Sequence, residues 1–243
     1  MRLFGLIGYA LSHSFSKKYF TEKFQKEEIS ECSYDIFSLK MIGELPFLLL
    51  KYPELEGLNV TIPYKKQVLP FLHTTHIPSG LDACNCINII AGKLVGYNTD
   101  VTGFEKSLRP LLKSSHKKAL VLGNGGATSA VTFVLKKLGI EYNIVSRKIH
   151  DASSLTYKKL NEKLVKENTL IINTTPLGMY PDADSFPDIP YQFISSTHLL
   201  YDLVYNPVNT LFLQKGEERG AVIKNGEEML VLQAEESWRI WNS

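Results

Sequence analysis

Cysteine is scarce, with three among 243 residues. Three thiols cannot close into a complete disulfide set, and an odd count without a secretory leader points to a reducing compartment. Long apolar runs are also missing. No stretch reaches the ~18 residues that read as a membrane-spanning helix. The opening MRLFGLIGYAL is apolar, but Gly5 and Gly8 interrupt it and no small-residue cleavage site follows, so it reads as a buried strand. Charge of one sign is lacking too: 27 Lys and Arg face 25 Asp and Glu, a net of +2. That excess is too weak for nucleic acid or a membrane surface as main partner. With 16 glycines, 11 prolines and no internal repeat, collagen and low-complexity classes are excluded. What remains is an ordinary globular composition, 44% hydrophobic and 21% charged, long enough for one or two domains. A cytoplasmic protein with a small-molecule partner is the expectation.

The first half reads β-α-β-α-β-α-β-β. Arg2–Ile7, Ser33–Leu39 and Leu58–Thr61 read as strands, and Ser14–Lys26 and Ile42–Leu50 as helices. Pro63 suits a first helical turn. Asn85–Ile90 and Lys93–Tyr97 form a hairpin around Ala91-Gly92. Thr99 or Asp100 can cap a helix running toward Leu112. The second half opens with a strand at Lys118–Leu122, then GNGGATSA, a helix to Leu138 with Phe133, Val134 and Leu138 as its apolar face, and a strand at Glu141–Val145. Leu170–Asn173 and Leu199–Leu203 are further strands, and Glu228–Trp241 is a closing helix. The domain boundary is expected near residues 100–115, with the last helix returning to the first domain.

Gly123, Gly125 and Gly126 follow a strand and open a helix. This is the arrangement that lets a backbone approach a pyrophosphate at a positive helix end. The usual third glycine falls on Thr128, so the match is incomplete. At the end of the next strand an NAD site wants a carboxylate for the ribose. This chain has Ser146, Arg147 and Lys148 there, two cations and a hydroxyl, which suit a 2′-phosphate and hence NADP.

Four polar clusters of the first half lie at strand ends: His13 to Ser16, Asn59 to Thr61 with Lys65, Asn85, and Asn98 to Asp100. Strands sharing one sheet bring such clusters to one edge. Their hydroxyls, amides, ammonium and carboxylate suit a small polyhydroxylated acid. A Lys/Asp pair beside a secondary alcohol can also move its proton.

Taken together these motifs resemble the shikimate dehydrogenase family over nearly the whole chain. GLIGYALSHSFS is similar to its His-Ser-x-Ser motif, GLNVTIPYK to its Asn-Val-Thr-x-Pro-x-Lys motif, and ACNCIN stands where the family has Ala-x-Asn-Thr. GYNTDVTGF, LGNGGATSA, INTTPLGM, YDLVYNP and GEEMLVLQA complete the series in order. The resemblance implies an α/β fold: an N-terminal α/β substrate domain (1–100 with 226–243) and a doubly wound Rossmann NADP domain (101–225), with a cleft between them. It implies reversible reduction of 3-dehydroshikimate to shikimate, a step toward chorismate and the aromatic amino acids, by a monomer or homodimer.

Carried over by motif, Lys65 and Asp100 are the catalytic pair. Ser14 and Ser16, with Tyr205, hold the substrate carboxylate. Thr61, Asn85 and Gln233 bind ring hydroxyls, with Asp100 sharing that work and Asn59 supporting it. Gly123, Asn124, Gly125, Gly126 and Ala127 take the pyrophosphate. Ser146, Arg147 and Lys148 take the adenosine phosphate. Thr174, Thr175, Met179, Leu203 and Gly226 line the nicotinamide side.

The chain departs from the pattern in places. Ala10 and Lys17 replace prolines, Cys86 replaces a small hydroxyl residue, and Lys148 replaces a threonine. The stretch from Lys148 to Leu170 is short, so one helix–strand segment of the Rossmann domain is expected to be missing. A rival constellation, His73 and His76 with Cys84 and Cys86, has ligand types that bind zinc, but at a spacing tighter than zinc knuckles. No metal is expected. Two other readings remain: a quinate or aminoshikimate relative, and a non-catalytic NADP-binding regulator, against which the Lys65/Asp100 pair argues.

Overall fold

The computed structural model describes residues 1–9, 11, 15–148 and 154–243. In chain order the first elements are β1 (Arg2–Gly8), α1 (Phe15–Lys26), β2 (Cys32–Ser38), α2 (Leu45–Lys51), β3 (Leu55–Val60), α3 (Tyr64–Gln67), β4 (Thr74–Thr75), β5 (Cys86–Ile90), β6 (Lys93–Tyr97) and α4 (Thr99–Leu108). They are followed by β7 (Lys118–Leu122), α5 (Thr128–Lys137), β8 (Glu141–Ser146), β9 (Ser154–Thr156), α6 (Glu162–Glu167), β10 (Leu170–Asn173), β11 (Leu199–Asp202), α7 (Leu211–Glu217), β12 (Val222–Lys224) and α8 (Glu227–Trp241). Met1–Gly103 with Leu230–Ser243 make one compact unit, and Phe104–Met229 make another. The chain passes between them within α4 and again within α8, a few residues beyond the expected positions 100 and 226.

The sheet of the first unit has the order β2-β1-β3-β5-β6-β4. β1 runs parallel to β2 and β3, whereas β5 is antiparallel to both β3 and β6. Both faces are covered, which is what apolar residues at successive strand positions demand. On one face Phe4 and Leu6 pack with Phe20 and Phe24 of α1 and with Trp241 of α8. Phe4 and Trp241 stack at 4.8 Å, and the Trp241 indole donates to the Ile87 carbonyl at 2.9 Å. On the other face Ile7, Leu58 and Val60 pack with Leu45 and Leu48 of α2 and Tyr64 of α3. Ala91 and Gly92 both have positive φ, 49° and 74°, as a two-residue hairpin turn requires.

These strand directions locate the site. Parallel β1 and β3 end on the same edge of the sheet. Antiparallel β5 begins there, and β6 ends there. Asn59, Cys86 and Tyr97 are consecutive partners across β3, β5 and β6. The residues just beyond them, Thr61, Asn85 and Asn98 to Asp100, therefore share one edge.

The second sheet is wholly parallel, in the order β12-β11-β10-β7-β8-β9. Counted from β7, this is the doubly wound dinucleotide-binding order, and its direction reverses between β7 and β10. One expectation is corrected here. The strand of the supposedly missing segment is present: β9 pairs with β8 through Ile144 and Ser154, after a connection of only seven residues. The α5 core face is also shifted from expectation, burying Val131, Val134 and Leu135. β4, β9 and β12 are too short for a period-2 pattern to show.

Candidate active site

Lys65 is the second residue of α3, a four-residue helix anchored by buried Tyr64, whose hydroxyl donates to the Leu39 carbonyl at 2.7 Å. Asp100 lies in the first turn of α4. The cap of α4 is Asn98, whose Oδ1 accepts the Val101 amide, and not Thr99 or Asp100. The Asp100 carboxylate is thereby left for another partner: Lys65 Nζ donates to its Oδ2 at 2.6 Å. The Asp100 side chain is 5% exposed and that of Lys65 19%.

The other Asp100 oxygen is held by Asn85, whose Nδ2 donates to Oδ1 at 2.9 Å. The same Nδ2 also faces Thr99 Oγ1 at 3.0 Å and Gln233 Oε1 at 3.2 Å. The Thr99 amide donates to Asn85 Oδ1 at 2.6 Å and so sets the orientation of the Asn85 amide. Ser237 on α8 lies 3.3 Å from the Thr99 hydroxyl and accepts from Asn59 Nδ2 at 2.9 Å. Asn59 Oδ1 in turn accepts from Tyr34 at 2.8 Å. One chain of contacts thus runs from Tyr34 through Asn59, Ser237, Thr99 and Asn85 to the Lys65–Asp100 pair. Sequence reading missed Tyr34 and Ser237. The available signal for Ser237 was its i+4 spacing from Gln233, which puts both on one face of α8.

Ser14 lies outside the described residues. Thr61 follows β3 and is half-buried, its carbonyl accepting the Tyr64 amide. Tyr205 belongs to the second unit, in the loop after β11, where burial raises its phenol pKa. His73 accepts the Leu94 amide, the His76 ring stacks on Tyr97, and the Cys84 thiol donates to the Cys86 carbonyl. Burial pushes the Cys84 thiol up to about 11 and the Cys86 thiol higher still. Among the described residues no group of three or more His, Cys, Asp or Glu is arranged to hold a metal ion.

The second unit has a cavity of ≈ 790 Å³ at the carboxyl ends of β7, β8 and β10. Gly123, Asn124 and Gly125 line it beside Ser146, Arg147 and Lys148, with Thr174 and Thr175 opposite. Gly123 has φ +111°, and a Cβ there would meet Thr174 Oγ1 at 2.8 Å and Thr175 Cγ2 at 2.9 Å. Protein packing therefore explains this glycine. It does not explain Gly125 and Gly126, which have ordinary φ and no atom within 4 Å of an added Cβ. The amides of Gly126 and Ala127 donate to no described group, and both precede α5 at its positive end.

The threonines shape this loop from within. Thr128 Oγ1 accepts the Gly125 amide and meets Thr174 Oγ1 at 2.9 Å, while Thr174 also donates to the Leu122 carbonyl. Thr175 donates to Asn173 Oδ1 at 2.6 Å. The Ser146 hydroxyl donates to the Lys148 carbonyl, which folds the turn and leaves Arg147 and Lys148 exposed as the cations of the cavity. Tyr157, unanticipated from sequence, also lines it. Burial raises its phenol pKa and nearby Arg147 opposes that shift.

Gly126, Ala127, Met179, Leu203 and Gly226 lie outside this lining. The Leu203 amide donates to the Asn173 carbonyl, and Gly226 donates to the Val204 carbonyl with no room for a side chain against Leu203. The loop is held by buried Asp202, which accepts from Asn173, Thr210 and the Val204 amide. Burial outweighs these bonds and pushes its carboxyl up to about 6.

The site can be set beside known proteins. Residues 6–87 match the family model of the shikimate dehydrogenase substrate binding domain. Shikimate dehydrogenase (NADP(+)) of Clostridium beijerinckii is 38% identical, the alignment covering 99% of this chain and 92% of that protein. The protein of the same name from Methanococcus maripaludis is 35% identical over 99% of this chain and 91% of its own length. The crystal structure of shikimate 5-dehydrogenase from Thermus thermophilus, in complex with NADP(H) and shikimate, superposes with a TM-score of 0.85 at 28% identity, covering 99% of this chain and 93% of that one. With near-complete coverage at these identities and a shared fold, this chain belongs to the shikimate dehydrogenase family.

Proposed function

We propose that this chain is an NADP-dependent shikimate dehydrogenase, interconverting 3-dehydroshikimate with NADPH and a proton, and shikimate with NADP⁺. The observation that carries the reading is the Lys65–Asp100 pair, joined at 2.6 Å beside Asn85, which also meets Gln233 of α8, at the sheet edge where Thr61 follows β3. Both Asp100 oxygens are engaged, Oδ2 by Lys65 and Oδ1 by Asn85. Lys65 spends one N–H on Asp100 and keeps two for a substrate oxygen. Lys65 is therefore the proton carrier and Asp100 its anchor. In the reducing direction Nζ donates to the oxygen as it gains charge, and in the oxidising direction it takes the hydroxyl proton back. Thr61, Gln233 and Asp100 face the ring hydroxyls. Ser16, with Ser14 by motif, holds the carboxylate, and Tyr205 is assigned to it by motif as well.

The residues of the second unit fit NADP. The open positions at Gly125 and Gly126 leave room for a pyrophosphate against the amides of Gly126 and Ala127. Arg147 and Lys148 supply cations for a 2′-phosphate, the guanidinium in a two-pronged geometry. Thr174, Thr175, Met179, Leu203 and Gly226 are assigned to the nicotinamide side. When bound, the cofactor supplies or accepts the hydride, and the protein handles the proton.

The test is the absorbance of reduced nicotinamide after mixing purified protein with NADP⁺ and shikimate, with NAD⁺ and quinate run in parallel. A fast rise restricted to shikimate with NADP⁺ is expected. Faster turnover with quinate, or with NAD⁺, overturns the substrate or cofactor assignment respectively. Silence with every pair from protein that binds NADP⁺ leaves the regulator.

A further inference from the structure

We infer that Ser237, on the C-terminal helix and outside the residues assigned to substrate, is a positioning residue that sets the direction of the hydrogen bonds ending on Asp100; the inference rests on the proposed dehydrogenase activity. Ser237 is fully buried. Its hydroxyl donates to the Gln233 carbonyl at 2.9 Å, one helical turn back. Its only proton is thereby used, and Oγ can serve its other neighbours only as an acceptor. Asn59 Nδ2 donates to it at 2.9 Å, and Thr99 Oγ1, at 3.3 Å, can bond it only by donating.

With its proton turned toward Ser237, Thr99 Oγ1 offers lone pairs to Asn85 Nδ2 at 3.0 Å. The Asn85 amide is then held from both ends, its oxygen on the Thr99 amide and its nitrogen on Thr99 Oγ1 and Asp100. Without Ser237, the Thr99 hydroxyl has a competing acceptor in Asn85 Oδ1, 3.3 Å away. Turning to it points the Thr99 proton at the Asn85 amide and weakens the bond from Nδ2, while the loss of Ser237 Oγ leaves Asn59 one acceptor poorer. The motif's hydroxyl at 86 is a thiol here. Cys86, also fully buried, offers only a thiol, a weak donor and acceptor. The strong hydroxyl of this buried spot therefore comes from α8.

The test compares the parent with Ser237→Ala, Thr99→Val and the double variant. In S237A, kcat with shikimate is expected to fall about tenfold, the order of one lost buried hydrogen bond, while the KM for NADP⁺ stays within about twofold. T99V cuts the same link from its other side, so the double variant is expected to be no worse than the poorer single variant. An S237A kcat within about twofold of the parent overturns the inference. So do losses that multiply in the double variant. If S237A melts far below the parent, T99V is read alone, with the same kcat loss and unchanged NADP⁺ KM required. Failure of the proposed reaction is separate and visible: the parent itself would show no turnover with shikimate.

Discussion

The two units solve the problem of polar groups at sheet ends in opposite ways. In the first unit, side chains satisfy one another inside the protein. Asn85 is 3% exposed, Asp100 4% and Thr99 1%, and each has several partners. In the second unit, the β7–α5 turn lines a cavity with Gly123, Asn124 and Gly125 and leaves the Gly126 and Ala127 amides without a described acceptor, while Arg147 and Lys148 after β8 are exposed. The first arrangement fixes side-chain geometry before anything binds, as proton transfer requires. The second reserves space and positive potential for a large anion.

The sharpest way to break this comparison is at Lys65. Lys65→Ala is expected to lower turnover by roughly 10²–10⁴-fold, with NADP⁺ affinity within about twofold by fluorescence titration. Near-normal turnover would remove Lys65 from the chemistry.

Two glycine replacements divide packing from ligand space. Gly123→Val introduces a side chain at φ +111°, into Thr174 and Thr175. It should cost stability, on the order of 1–3 kcal/mol, and also weaken NADP⁺ binding by about 100-fold. Gly125→Val meets no protein atom within 4 Å of its Cβ. It should melt within a few degrees of the parent yet lose NADP⁺ affinity almost as severely. Equal melting losses in the two variants would merge the roles kept separate here.

Arg147→Ala is expected to raise the Kd for NADP⁺ by about tenfold, the order of one charge-assisted phosphate contact. The Kd for NAD⁺ should change little. A parallel loss for both dinucleotides would place Arg147 away from the 2′-phosphate.

The smallest effect on activity is expected at Asp202, whose influence is on stability. Its carboxyl titrates at about 6 when folded against an ordinary 3.8. The folded state therefore holds this proton more tightly than the unfolded state. The stability it contributes is fully present below about pH 3.8 and is lost as pH rises to about 6, roughly 3 kcal/mol over the window. Asp202→Asn should remove that component, seen as a flatter dependence of urea stability on pH between 4 and 6. An unchanged slope would mean that the three donors, not burial, govern this group.

Much of the fold was legible because long strands and helices carry their burial pattern locally. β7 and β10 begin and end where the apolar runs do, and Gly139, at φ +68°, stops α5 as a C-terminal glycine should. The short elements were not legible. Two or three residues, as in β4, β9 and β12, show no period, and they become strands only because a neighbouring strand offers hydrogen bonds. The cap of α4 was also misplaced. Asn98, Thr99 and Asp100 are all capping types, and only the demand of Lys65 for a carboxylate decides which one is spent on the helix.

At the site the division follows the same physics. Residue identity and order alone determined the chemical inventory: a lysine and an aspartate for proton transfer, hydroxyls and amides for a polyol acid, glycines after a strand, and two cations where a carboxylate would select NAD. Those are properties of the groups themselves. Tertiary structure decided which group faces which. It spent the Ser146 hydroxyl on its own turn, brought Tyr157 into the cavity beside Arg147, and threaded Ser237 into the contacts that end on Asp100. Hydrogen-bond direction depends on every neighbour of a donor at once, and those neighbours meet only after strands and helices distant in the chain have packed.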